Sequence, residues 1–252
     1  MIKILPKLDF IHRKTPSKLV TPIFEKVTKD GCSVHTDIPI SYKGGSHATL
    51  STNIYEDNNN LLHTICSEIL NSCGEKMGTY TYDIDTYRKS IKNGIIVTEP
   101  GFQHKGIGEI LRLSSIMELN ENNIKALSLE SVSSAIPFHF KYKFKPCLKD
   151  KKRALDILLN IVHKSAIDKK YKTEAQKLVE EISYKNDSKK LKYAQAKHVN
   201  NFISRYIEEY TYNWNYAKFP RSIPMVLTKK DIKHFASFYN ELFKKHGIDY
   251  TV

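Results

Sequence analysis

The sequence predicts an α+β fold, in which a mixed, mostly antiparallel sheet flanked by helices is followed by an all-helical C-terminal extension. Three observations point to it. Between Leu62 and Val132, runs of β-branched and aromatic residues alternate with Gly- and Asn-containing turns. One stretch after Gly106 departs from that pattern and repeats its apolar residues every 3.6 positions. Beyond Pro146 the helical period continues to the end of the chain. The expected organisation is an N-terminal segment (1–60), contributing first elements of the core or extending it, then a core (61–148) and a basic helical domain (149–252).

Each element follows from local pattern. Pro6, Pro16 and Pro22 make long helices unlikely near the start. "GGSHATLSTNIYEDNNN" reads as a strand between a Gly-Gly turn and a polar loop. "HTICSEIL", the turn "NSCGE" and "KMGTYTYDID" read as an antiparallel hairpin, and "SIKNGIIVTEP" as a further strand that Pro100 stops. Ile107, Ile110, Leu111 and Met117 then mark a helix ending near Asn122. "KALSLESV" is a strand, and "AIPFHFKYKF" a short helix or turn thick with aromatics.

After Pro146 the pattern reads as wholly helical. Leu155, Leu158, Ile161 and Val162 share one face; "EAQKLVEEI" and "LKYAQAKHVNNFISRYIEEY" behave likewise. The last helix starts at a Thr228 cap, with Asp231 three residues on, and stops at Gly247.

Composition narrows the function classes. A chain of 252 residues, 40% hydrophobic with 15 Tyr and 11 Phe, can bury a sizeable core. The start "MIKILPKLDFIHRK" is broken by Lys3, Pro6, Lys7 and Asp9, so it lacks a signal-peptide apolar stretch. No window approaches the roughly 20 apolar residues of a membrane span. Cys32, Cys66, Cys73 and Cys147 form no CxxC pair, which suits a reducing cytosol, and a cytoplasmic location is expected.

Charge is lopsided. Residues 1–148 hold 18 Lys+Arg against 15 Asp+Glu (+3), and residues 149–252 hold 22 against 12 (+10). Nucleic acid is therefore the runner-up partner, but Lys outnumbers Arg 34 to 6, as when lysine simply fills solvated helix faces. No RGG-like run or compact recognition-helix pattern accompanies the charge.

The chemistry concentrates in "TEPGFQHKGIGEILRLSSI", residues 98–116. A strand, a Gly-rich turn and a helix start suit phosphate binding, because unpaired N–H groups and the helix dipole face the turn. Gly101-x-x-x-x-Gly106 has Walker A spacing, but Ile107-Gly108 stands where Lys-Ser/Thr is required. A dinucleotide fingerprint needs Gly or Ala at position 111, where Leu111 sits, and a parallel sheet before it.

"QHKGIG" instead resembles the Q/R-x-x-G-x-G/A loop of the GNAT superfamily of acyl-CoA-dependent N-acetyltransferases. Val97-Thr98-Glu99-Pro100 resembles the strand end that precedes that loop, and "AIPFHFKYKF" resembles the later motif A-I-x-F-Y-x-K-x-G-F. The resemblance covers roughly residues 60–146, with parts in matching order and spacing.

It implies acetyl-CoA as co-substrate and no metal. The strand before the loop would splay from its neighbour, freeing backbone groups of Ile96, Val97 and Thr98 for the pantetheine arm. The amides of Gln103, His104, Lys105, Gly106, Ile107 and Gly108 would hold the pyrophosphate. Gln103 would close the turn, and His104 or Lys105 would add charge. His139 stands where the family's general acid, a tyrosine, usually lies; Lys143 replaces the motif's Gly, and Val132 a common Asn. Base candidates are Glu99 and Glu130, with Asp83 and Asp85 weaker. No HExxH, GxSxG or zinc-type Cys/His spacing supports other chemistries.

The resemblance thus implies acetyl transfer to a primary amine, on a small molecule or a protein, by direct attack on the thioester. The alternative is a nucleic-acid-binding or scaffolding protein on a degenerate form of the same fold. Homodimerisation through the helical domain is a further expectation.

Overall fold

The computed structural model describes residues 33–42, 46–56, 62–85, 87–121, 124–164, 167–183, 188–210 and 222–252. The proline-punctuated stretch from Pro6 to Pro22 lies outside them. The chain forms two compact units: Met1–Ser128 with Thr228–Val252, and Leu129–Leu227. The last segment thus belongs with the first unit.

The first unit is built on an antiparallel meander. Strands β1 (Ser33–Tyr42), β2 (Ser46–Glu56), β3 (Leu62–Asn71), β4 (Lys76–Asp85) and β5 (Ser90–Thr98) pair in sequence order. β1 carries Pro39 opposite Thr49 and, among the described residues, has β2 as its one strand neighbour, which is where a proline without an N–H is tolerated. The β3–β4 hairpin and β5 stand where the sequence placed them. Asn71 ties their turn, accepting at its side-chain oxygen from the amides of Cys73 and Glu75. Alternate residues of these strands, among them Leu50, Ile65, Ile69, Tyr80 and Tyr82, are buried in the core.

Helix α1 (Ile107–Glu121) follows β5 and is buried on nearly every side, from Ile110 through Leu119. It carries Arg112 into the core, where Nη1 donates to the Tyr80 hydroxyl at 3.1 Å. β6 (Ala126–Val132) begins parallel to β5, with Ser90 opposite Ala126 and Ile91 opposite Leu127. The sheet is therefore mixed and mostly antiparallel, with helices on its flanks.

The C-terminal segment returns to the first unit as α6 (Lys229–His234) and α7 (Ala236–Lys245). Thr228 and Asp231 form the reciprocal capping box, and Gly247 ends the run with φ +64°. The single helix expected here is divided at Phe235. This segment also secures the far end of α1: Lys229 Nζ donates to the Asn120 carbonyl at 2.9 Å, and Asn120 Nδ2 to the Tyr250 hydroxyl at 2.7 Å.

The second unit holds the rest of β6, a 3-10 turn (Ser133–Ala135), α2 (Ile136–Lys141), β7 (Lys145–Pro146), α3 (Lys151–His163), α4 (Lys169–Ser183), α5 (Tyr193–Tyr210) and most of β8 (Ser222–Thr228). β8 lies between β6 and β7, antiparallel to β7. Strand β8 corrects the expectation of an all-helical run after Pro146. Ile223, Met225 and Leu227 are buried while their neighbours are half-buried, a period of two that belongs to a strand.

The three long helices pack their apolar faces together. Tyr171, Phe202 and Tyr206 meet edge-on or tilted, with the Tyr171 and Tyr206 centroids 5.6 Å apart. On α3 the buried face is Ala154, Ile157, Leu158 and Ile161. Leu155 and Val162, expected on that face, sit half-buried at its margins.

Candidate active site

β5 continues from its parallel pairing with β6 at Ser90 and Ile91 to Thr98, and it pairs with β4 on either side of an irregularity between Thr81 and Asp83. Ile96 lies opposite Tyr80, Val97 opposite Thr79 and Thr98 opposite Gly78. Ile95 and Val97 are 65% and 47% exposed, which is unusual for such residues in the interior of a sheet.

The chain then turns. The Glu99 amide donates to the Met77 carbonyl at 3.0 Å, and the Glu99 carbonyl accepts from the Phe102 amide at 2.9 Å. Pro100 opens the resulting 3-10 turn, a position where its missing N–H costs nothing. His104 and Gly106 then take left-handed φ values of +61° and +88°, on either side of Lys105. Alternation of this kind directs successive N–H groups to one concave side, a nest for anions. α1 begins directly at Ile107, so its unpaired amides and the positive end of its dipole adjoin the turn. Lys105 adds an ammonium held 4.9 Å from the centre of the Phe102 ring. The cradle of residues 103–108 has the donors and the charge to fit a pyrophosphate.

Behind the turn lies a group of residues that the sequence did not single out. Glu109, in the first turn of α1, is 5% exposed. Its Oε1 accepts from Lys245 Nζ at 2.6 Å and contacts His246 Nε2 at 2.7 Å. His246 reaches Glu109 across 137 positions of sequence, so no local pattern could have revealed the pair.

The carboxylates proposed as bases differ in their surroundings. Glu99, in the first unit, is half-buried at the strand end. Glu130, in the second unit, is exposed and ion-paired with Arg153, whose Nη2 also donates to the Ser222 carbonyl and hydroxyl. Asp83 accepts from the Thr64 hydroxyl at 3.0 Å. The Asp85 carboxyl is held below the usual range by its bond from Lys92 Nζ at 2.6 Å and by the Arg88 amide. Bonds to the charged form make Asp85 a poor proton acceptor.

His139 occupies α2 in the second unit, 9% exposed. Its ring packs edge-on to Phe138 at 5.2 Å and tilted to Phe144 at 5.6 Å. Its carbonyl accepts from the Tyr142 and Phe144 amides, which fixes the backbone beneath the imidazole.

Lys143 has φ +65°. This is the position where the motif it resembles carries glycine, the residue that takes a positive φ most readily. A left-handed non-glycine residue costs roughly 1–2 kcal/mol, partly offset by glycine's greater unfolded-state entropy. Lys143→Gly is expected to stabilise the protein by up to about 1 kcal/mol, read as a higher urea midpoint at unchanged slope.

Among the described residues, no group of three or more His, Cys, Asp or Glu is arranged to hold a metal ion, and no helix is long and apolar enough to cross a membrane. No protein-family model and no curated protein matches the chain. Solved structures similar in part include an acetyltransferase of the GNAT family from Staphylococcus aureus, 18% identical over 34% of this chain and 54% of that one, TM-score 0.30. The spermidine/spermine N-acetyltransferase SpeG from Vibrio cholerae is 14% identical over 36% of this chain and 55% of its own, TM-score 0.32. Nourseothricin acetyltransferase is 17% identical over 48% and 76%, TM-score 0.31. The chain thus spans little more than half the length of the first two.

Proposed function

We propose that the chain is an N-acetyltransferase that moves the acetyl group of acetyl-CoA to a primary amine. One observation supports this most: the left-handed pair His104 and Gly106 between the end of β5 and the first residue of α1, within a sequence lacking the residues other phosphate loops require. The amides of residues 103–108 would hold the pyrophosphate, with Lys105 adding charge. The edge of β5 near Ile96, Val97 and Thr98 would pair with the pantetheine arm.

In the reaction, the amine nitrogen attacks the thioester carbonyl carbon and the C–S bond breaks. The departing thiolate needs a proton, and the resembling motif assigns that role to the position of His139. The nitrogen loses its own proton to Glu99 directly or through water. Glu130 is a second acceptor, already engaged by Arg153. Positioning the amine against the thioester, and stabilising the oxyanion that forms, supplies most of the acceleration.

Acetyl-CoA is expected to raise the melting temperature, and a panel of polyamines, aminoglycosides and lysine- or N-terminus-bearing peptides should reveal the acceptor by release of free CoA thiol. A chain that shows no response to acetyl-CoA, yet binds RNA or DNA in a salt-sensitive way, would favour the nucleic-acid alternative.

A further inference from the structure

We infer that His246 is a positioning residue that holds the glycine turn in its anion-accepting form and engages the carboxylate behind it. This rests on the assignment of the turn to pyrophosphate.

Glu109 poses the difficulty. A carboxylate in the first turn of a helix is ordinarily stabilised by the unpaired amides there. Here it would compete for those amides with the incoming phosphates and repel them. Burial sharpens the problem, since a buried carboxylate needs partners. Two side chains at the end of α7 meet it, the Lys245 ammonium at 2.6 Å and the His246 ring at 2.7 Å, both at Oε1.

His246 is the more constrained of the two, being 2% exposed. Its Nδ1 lies 2.9 Å from the Ser41 carbonyl, which can only accept, so Nδ1–H is the donor. A ring nitrogen 2.7 Å from a carboxylate oxygen shares a proton with it, so both ring nitrogens are engaged. The main chain fixes the ring as well. The Gly247 amide donates to the Lys244 carbonyl at 3.1 Å and the Ile248 amide to Phe243 at 3.0 Å, the paired bonds of a glycine-terminated helix. The Ser41 amide donates to the His246 carbonyl at 2.8 Å, so β1 grips this residue through both its backbone and its ring.

The ring then closes the back of the turn. A Cβ placed on Gly106 would lie 3.1 Å from His246 Cε1, so the glycine backbone rests against the imidazole. Movement of Gly106 toward α7 is blocked. One residue therefore engages Glu109 in the first turn of α1 and supports the left-handed glycine that shapes the nest.

Amide hydrogen exchange and calorimetry with CoA, on the full chain, test this. His246→Ala should make the Lys105–Gly108 amides exchange ~10-fold faster and weaken CoA ~10-fold, while amides of β2 and β3 exchange as before. His246→Gln, which keeps an N–H toward Glu109, should recover most of both losses; a residue that merely stabilised the fold would show neither the local confinement nor the rescue. If His246→Ala does not fold, His246→Asn, which keeps a donor near Ser41 but is too short for Glu109, takes its place with the same expected direction. Turn amides exchanging at the wild-type rate in either folded variant overturn the inference. If the wild-type chain binds no CoA, the pyrophosphate assignment falls, and the exchange rates alone decide whether His246 holds the turn.

Discussion

Gly108→Asp is expected to abolish measurable CoA binding, a loss of at least ~100-fold, in a protein that folds as well as the wild type. Gly108 is the second residue of α1 and not among the glycines with positive φ, so an aspartate there keeps an ordinary helical backbone. Replacing a helical glycine by aspartate gains only a few tenths of a kcal/mol of propensity, and a carboxylate near a helix N-terminus gains a few tenths more. The same carboxylate would occupy the amides that the pyrophosphate needs and would repel it. Stability and binding should therefore move in opposite directions. Gly106→Asp should also abolish binding, but less informatively. Its φ of +88° is strained for any L side chain, and its Cβ would press on His246 at 3.1 Å. A folded Gly108→Asp protein that binds CoA with wild-type affinity would remove the pyrophosphate from this turn.

What the sequence revealed and what it hid divide along physical lines. β3, β4, β5, α1 and the capping box at Thr228 are specified by neighbours a few positions away, through alternation, helical period, turn residues and caps, and each stands where those signals put it. β8 carried the right signal in Ile223, Met225 and Leu227, but a strand flanked by long helical patterns is easily absorbed into them. β1 was obscured by Pro39 and Asp37, which a strand with a neighbour on one side tolerates. The cluster of Glu109, Lys245, His246 and Ser41 had no signal at all, since it joins three segments far apart in the chain. A glycine motif announces the front of a phosphate cradle; what stands behind it becomes visible only in three dimensions.

His139→Ala is expected to lower turnover by roughly 10²- to 10⁴-fold while leaving CoA affinity nearly intact, the range for loss of a general acid. The structure sharpens what this test must separate. His139 is buried against Phe138 and Phe144, so truncation also removes aromatic packing and should cost stability on its own account. His139→Phe serves as the packing control: it keeps an aromatic ring against Phe138 and Phe144 and removes the proton donor, so it should be more stable than the alanine variant and as inactive. His139→Tyr should recover part of the rate, because a phenol restores a donor at the position where the resembling motif carries tyrosine. The pH profile of the acetyl-transfer step then identifies the donor. Loss of the imidazole should remove an ionisation from the profile of kcat, and the tyrosine variant should move it toward alkaline pH, the direction of a phenol's higher pKa. Equal turnover of wild type and His139→Phe across the range would leave the ring as packing and assign the thiolate's proton to water.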